Sequence, residues 1–147
     1  VYINLQKLDE LPRPVLSWMA CTVTVYNVLH VPEFMKWKLE ESGFKNINST
    51  KKRPIITYHM AHKPEHLNIR VLNSDQKEKV AAKYKEFKDY FTQTLSPELA
   101  KNAHSILDSI EKYMMAKSYT DEFSAETMKY SLRMDEIRNQ NSQAVLP

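Results

Sequence analysis

Three histidines lie within eight consecutive positions of this sequence, at a spacing that metal sites use. They are His59, His62 and His66, in the segment TYHMAHKPEHLNIRVL, residues 57–72. Imidazole nitrogens bind zinc and other borderline metals, and residues three or four apart share one face of a helix. Pro64 interrupts the segment, and a proline inside a helix removes a backbone hydrogen bond. Two interpretations therefore stay open: a small metalloprotein with these three ligands, or polar histidines in a loop after a strand.

Other reactive groups are few. Cys21 is the only cysteine and lies in an apolar run, which predicts a buried, inert thiol and fits a reducing cytoplasm. Gly43 is the only glycine, so no phosphate-binding loop, dinucleotide-binding motif or nucleophile elbow is possible. Asp135 and Arg138 are one helical turn apart and are expected to pair on a helix surface. We identify no complete catalytic set and expect that this chain is not catalytic by itself.

Length and composition limit the class of protein. The chain has 147 residues, of which 42% are hydrophobic and 27% charged, and its net charge is +3. These values predict one domain, no membrane-spanning segment and no general affinity for nucleic acid. A local basic stretch, Lys45 with residues 51–53, is expected to be a solvated loop. We expect a cytoplasmic protein.

The elements that must position these residues change character along the chain. Residues 15–30 are predicted to be a buried strand, Pro32 to open a helix that stops at Gly43, and residues 55–60 to be a second strand. Strand, helix and strand at this spacing indicate a βαβ unit with parallel pairing. Later segments predict helices at 74–94, at 97–116 and from near Ser124, where Asp121 and Glu122 precede the start as capping charges.

The fold class that follows is α+β. Residues 1–73 form an α/β-like βαβ piece, and residues 74–147 form a helical half of about three helices, packed as a single domain. Two parallel strands make a sheet that is too small to bury itself. We therefore expect the sheet to be covered or extended, either by a second copy of the chain in a homodimer or by a missing N-terminal region.

Three segments, taken in order, resemble radical SAM proteins that carry the twitch-type C-terminal extension, a group common in phage genomes. CTVTVYNVLHVPEFMKWKLE resembles a late barrel strand and helix of these proteins. KPEHLNIRVLNSDQKEKVAAKYKEF is similar to the turn, extended piece and Lys-rich helix that follow their last barrel strand. FSAETMKYSLRMDEIRNQN with a final LP resembles their closing helix, where Phe123 precedes Leu132, Asp135 and Arg138.

The resemblance implies a partial α/β barrel whose N-terminal half binds a [4Fe–4S] cluster, through C-x-x-x-C-x-x-C, and S-adenosylmethionine. This chain contains neither element, so no cofactor residue is carried over and Val1 is expected to be a truncation point. The implied role is a non-catalytic C-terminal portion that contributes late barrel strands and substrate-side loops, with the histidine loop facing the substrate. The alternative is a self-contained α+β interaction module that dimerises.

Overall fold

A computed structural model describes residues 2–12, 17–47 and 54–142. Within these ranges the chain forms two short strands and five α-helices, which confirms the α+β class. The elements are α1 (Tyr2–Asp9), β1 (Ala20–Val23), α2 (Val31–Lys36), β2 (Thr57–Met60), α3 (Ser74–Thr94), α4 (Pro97–Ala116) and α5 (Thr120–Arg138). Short 3-10 turns occupy Val28–His30, Glu65–Leu67 and Ile69–Val71. None of the helices in the described ranges is long and apolar enough to cross a membrane.

The two strands pair in parallel, as predicted for a βαβ unit. Ala20 aligns with Thr57 and Val23 with Met60, and α2 lies between the strands in the sequence. The predicted strand over 15–30 is wrong in extent, because β1 covers four residues only; residues 13–16 lie outside the described ranges. The Asn27 side chain ends β1, since its Oδ1 accepts from the Thr24 N–H and its Nδ2 donates to the Thr22 carbonyl, both at 2.8 Å.

The two faces of this sheet differ in burial. Cys21 and Val23 on β1, with Tyr58 and Met60 on β2, belong to or pack against the main core. The alternate residues point to the other side, as the period of two along a strand requires. On that side Ala20, Thr22 and His59 are exposed, and 58% of Trp18 is accessible to solvent.

The helix that opens at Pro32 follows the prediction and then changes type. Pro32 lies in the first turn of α2, and a π-helical turn, Trp37–Glu41, continues it. Gly43 then adopts a φ of +70°, the left-handed conformation that glycine tolerates without strain. The predicted stop is thereby confirmed. The segment after β2 includes a cis peptide bond between Lys63 and Pro64.

The helical half agrees with the sequence at α3 and α4. Asn73 and Gln76 form a capping box at the start of α3, the pattern by which the sequence marks that helix start, and the Ser96 side chain caps α4. The prediction for α5 is wrong at its start, which is Thr120 rather than near Ser124. The earlier start is fixed by tertiary bonds, because the Thr120 hydroxyl donates to the Leu72 carbonyl at 3.0 Å. Asp121 and Glu122 consequently lie inside the first turn of α5 and not before it.

One cluster of buried side chains joins the two halves of the chain. It includes Val23 and Ile56 from the βαβ piece and Tyr84, Leu107 and Ile110 from the helical half. The Tyr84 hydroxyl donates to the Val28 carbonyl at 2.7 Å, so a buried polar group is satisfied where the halves meet. Burial raises the pKa of Tyr84 well above its ordinary value, which keeps that hydroxyl protonated as a donor.

Candidate functional site

The structure does not bring the three histidines together. His59 is exposed on the open face of β2, and His62 is exposed in the loop that follows, where its Nδ1 lies 3.0 Å from the Tyr113 hydroxyl. His66 is buried in the next turn. Across residues 2–12, 17–47 and 54–142, no three His, Cys, Asp or Glu side chains form a group that could hold a metal ion. Each histidine therefore has a chemical environment of its own.

His66 is the histidine with the most specific surroundings. Its side chain is 9% exposed, and its Nδ1 lies 3.2 Å from a carboxylate oxygen of Glu126 on α5. Its ring packs on Tyr130 with the centroids 4.5 Å apart. Its Nε2 is buried and has no hydrogen-bond partner within the described part of the chain. The Glu126 carboxylate and the Tyr130 ring together hold the imidazole of His66 in one orientation.

A second group of polar contacts holds the histidine loop against α4. The Asn68 amide donates to the Tyr113 hydroxyl at 2.8 Å, and the Arg70 Nε donates to the Tyr113 carbonyl at 3.0 Å. The Arg70 guanidinium also lies 3.9 Å from the centroid of the Tyr113 ring, a cation–π contact. These bonds satisfy the polar groups of the loop and set its position, so we assign them a structural role.

A cavity of about 560 Å³ lies between α5 and the segments that follow the two strands. Tyr26 comes three residues after β1 and Leu67 seven residues after β2, and both line it. The opposite wall is the face of α5 that carries Tyr130, Met134 and Arg138. In parallel sheets, ligands bind beyond the carboxyl ends of the strands, and this cavity occupies that position. Its volume is within the range of small-molecule sites.

The cavity has an oriented hydroxyl pair in its wall. The Tyr26 hydroxyl and the Ser131 Oγ are 2.6 Å apart, and the Ser131 hydroxyl donates to the Thr127 carbonyl at 2.8 Å. A serine hydroxyl has one hydrogen to donate, so Tyr26 is the donor to Ser131. The phenolic oxygen of Tyr26 keeps its lone pairs for a further donor.

Two charged groups of α5 also line the cavity, and they do not pair. Asp135 accepts hydrogen bonds from the backbone N–H and the hydroxyl of Ser142, each at 2.9 Å. The expected ion pair between Asp135 and Arg138 is therefore wrong, because the chain after α5 turns back and occupies the carboxylate. The φ of +50° at Asn139 makes that turn. Arg138 has neither an ion pair nor a hydrogen bond within the described residues.

Cys21 lies away from this cavity, on the core face of β1, and is half-buried. Burial raises the pKa of its thiol, which lowers the thiolate fraction at neutral pH. The structure also assigns roles to residues that the sequence analysis did not single out, namely Tyr26, Glu126 and Tyr130. The spacing of Glu126 and Tyr130, four apart on α5, was a usable signal, since both reach the same side of a helix.

Comparisons of this chain with family models, with curated proteins and with solved structures gave no match.

Proposed function

We propose that this chain is the non-catalytic C-terminal portion of a radical SAM-like enzyme, contributing late barrel strands and a substrate-side cavity. The resemblance of the three segments supports this proposal. The observation that carries it is the open face of a parallel sheet. Parallel sheets are normally covered on both faces, whereas here Trp18, Ala20, Thr22 and His59 are on a face that the described residues leave exposed.

The edges of the sheet support the same proposal. The hydrogen bonds between β1 and β2 use the backbone groups of odd-numbered residues. The Thr57 N–H donates to the Met19 carbonyl, and the Ala61 N–H donates to the Val23 carbonyl. The alternation along each strand then directs the N–H groups of Ala20 and Thr22 away from β2. An added parallel strand needs such N–H groups, and on β1 it would end at the Thr22 carbonyl, which already accepts from Asn27. Strands added on both sides would continue the sheet toward a barrel.

In a barrel, the exposed face of this sheet becomes the interior, because the helices cover the other face. His59 and Thr22 are aligned across the two strands and would then line that interior together. The cavity beside Tyr26 lies beyond the carboxyl ends of the same strands. The cavity is therefore at the face where the active sites of α/β barrels are built.

The residues of this chain do not fit an iron–sulfur cluster. Such a cluster is held by several cysteine thiolates, and Cys21 is the only cysteine in the sequence. Its half-buried thiol lies on the core face of β1 and not on the open face. The [4Fe–4S] cluster and S-adenosylmethionine therefore belong, in this proposal, to the N-terminal half of a full-length parent.

The first test is to sequence the DNA upstream of the codon for Val1. The proposal expects an open frame that encodes C-x-x-x-C-x-x-C about 100 to 200 residues earlier, a span set by domain size. A start codon within a few residues of Val1 would overturn it. In a full-length parent, amide exchange at Ala20 and Thr22 should be slow, because a neighbouring strand protects them, and fast in this chain alone.

A second candidate function is a dimerising α+β interaction module, favoured by the large exposed side chains. Trp18 on the open sheet face is 58% exposed, and Leu132 and Ile137 on α5 are 52% and 64% exposed. Light scattering on this chain tests it. Dimerisation through the sheet is supported if the wild type is a dimer and Trp18→Glu converts it to a monomer. Met115→Glu, on α4, is the control and should leave the dimer intact. A monomer at high concentration removes this candidate.

A further inference from the structure

We propose that the cavity between Tyr26 and α5 binds a small molecule that carries one anionic group on an aromatic or flat apolar body, with Arg138 as the anion anchor. To regard this molecule as a substrate rests on the function proposed above. Its binding does not, because the cavity is formed entirely by residues of this chain.

The charge that selects the ligand is that of Arg138. The guanidinium has no partner in the described residues, and it offers five N–H donors in a planar fork that matches a carboxylate or a phosphate. The nearest acid in the same wall, Asp135, has its lone pairs engaged by Ser142. Arg133, on the same helix, pairs with Glu136 and does not line the cavity. Of the two charged groups in the lining, Arg138 is therefore the one whose hydrogen-bonding capacity is not used within the described residues.

The apolar part of the ligand is selected by the walls. Two tyrosines, a leucine and a methionine line the cavity: Tyr26, Tyr130, Leu67 and Met134. Aromatic rings pack on one another in offset or edge-to-face geometry, and a thioether adapts to the edge of a ring. The Tyr130 ring also contacts the buried His66 ring, with the two planes tilted by 39°. A rigid aromatic wall that is already positioned favours a flat ligand over a flexible chain.

The hydroxyl pair gives the ligand an orientation. Tyr26 donates to Ser131, so the phenolic oxygen presents an acceptor toward the cavity. A ligand with its anion on Arg138 and a hydroxyl or amine at its other end can donate to Tyr26. Ligands that lack such a donor are expected to bind more weakly but in the same place.

The test measures the binding of simple probes to the 147-residue chain by isothermal titration calorimetry. Phenylphosphonate and phenylacetate supply a ring with a phosphonate or a carboxylate, inorganic phosphate supplies the anion alone, and benzyl alcohol supplies the ring alone. We expect saturable binding of at least one of the two ring-bearing anions, about tenfold tighter than either part alone. A preference between the two ring-bearing anions identifies which anion the guanidinium takes.

Matched variants on α5 locate the site. Arg138→Gln should lower the affinity for the preferred probe by about tenfold, because it removes a charge-assisted bidentate contact. Arg133→Gln removes the same charge outside the cavity and should leave the affinity within about twofold. Each variant is also unfolded in urea, because a cation in the last turn stabilises a helix by itself. Equal losses in both variants, or no saturable binding of any probe, overturn the proposal.

The outcomes separate this proposal from the function proposed above. Binding at Arg138 together with a start codon near Val1 removes the radical SAM-like assignment and keeps the ligand site. An upstream cysteine motif together with no binding at Arg138 keeps that assignment and overturns the ligand site.

Discussion

The backbone N–H of Ile47 donates to the Asp9 carboxylate at 2.7 Å, and this contact joins the end of α1 to the loop after Gly43. The N–H groups of Lys45 and Asn46 donate to the same carboxylate at 2.8 Å each. Three successive N–H groups that converge on one anion form a nest. Helix α1 has no buried residue, so this nest is its main polar attachment.

The Asp9 nest predicts a pH-dependent attachment of α1. Burial alone would raise the pKa of Asp9, but the N–H groups of Ile47, Lys45 and Asn46 outweigh it and hold the pKa below its ordinary value. The contribution to stability is therefore present above the unfolded pKa, near 3.9, and is lost as the pH falls through the folded pKa. Asp9→Asn should speed amide exchange at residues 45–47 at neutral pH, by about fivefold.

The control for this prediction is Glu10→Gln. Glu10 is the exposed neighbouring acid, and its removal changes the net charge by the same amount. Nuclear magnetic resonance measures exchange at the three amides in each variant. Equal exchange rates in wild type and Asp9→Asn would show that the carboxylate does not hold the loop.

We expect Gly43→Ala to lower the free energy of unfolding through backbone conformation alone, without a steric clash. Gly43 has a φ of +70°, and a Cβ built there meets no atom within 4 Å. The whole penalty is therefore the left-handed conformation, about 1 kcal/mol in the free energy of unfolding. Gly43→Asn should recover part of it, because asparagine tolerates that region. Urea unfolding measures both, and an alanine variant as stable as wild type would contradict the conformational reason.

The capping box of α3 predicts coupling between two side chains. The Gln76 N–H donates to the Asn73 side chain at 2.9 Å, and the Asn73 N–H donates to the Gln76 side chain at 3.1 Å. Asn73→Ala should lower the free energy of unfolding by about 1 kcal/mol, with a smaller loss for Gln76→Ala. The double variant should cost less than the sum, since each bond supports the same turn. Strict additivity in urea unfolding would count against a reciprocal box.

Short sequence patterns predicted those features of the fold that depend on residues close together in the sequence. The Asn73 box, the Ser96 cap and the stop at Gly43 follow from patterns a few residues long, and the parallel pairing follows from the order strand, helix, strand. The length of β1 does not, because the apolar run over 15–30 continues past Val23. The turn that ends the strand needs the Asn27 side chain to reach the Thr22 carbonyl. Apolar content therefore predicted burial correctly for one face of β1, whereas Ala20 and Thr22 on the other face are exposed. It predicted extended structure past Val23 incorrectly.

The candidate site was less predictable than the fold. The histidine spacing drew attention to this loop, but the side-chain contacts of His66 are with Glu126 and Tyr130, about sixty residues later. Helix α1 was not predicted either, because its apolar residues have no clear helical period and none is buried. Contacts between residues so far apart in the sequence depend on how α5 packs against the segment after β2. No local sequence pattern predicts that packing.

The burial of Lys38 predicts that the free energy of unfolding rises as the solution becomes alkaline. Its side chain is almost fully buried, and its Nζ donates to the Ile55 carbonyl. Burial lowers the pKa of Lys38 to about 8, against an ordinary value of 10.5. The unfolded chain therefore binds more protons than the folded chain between those two pH values, so folding becomes more favourable as the pH rises through that window. The expected result is a rise in the free energy of unfolding across that window.

The measurement compares urea unfolding of wild type and Lys38→Met from pH 8 to 10.5. Methionine keeps most of the volume and cannot titrate, so the difference in unfolding free energy between the two proteins isolates Lys38 from the tyrosines that ionise in the same range. Lys85→Met, at an exposed position of α3, is the matched control and should give a flat difference. If the Lys38→Met difference is also flat, the folded structure does not perturb this ammonium group, and its burial is relieved by local opening.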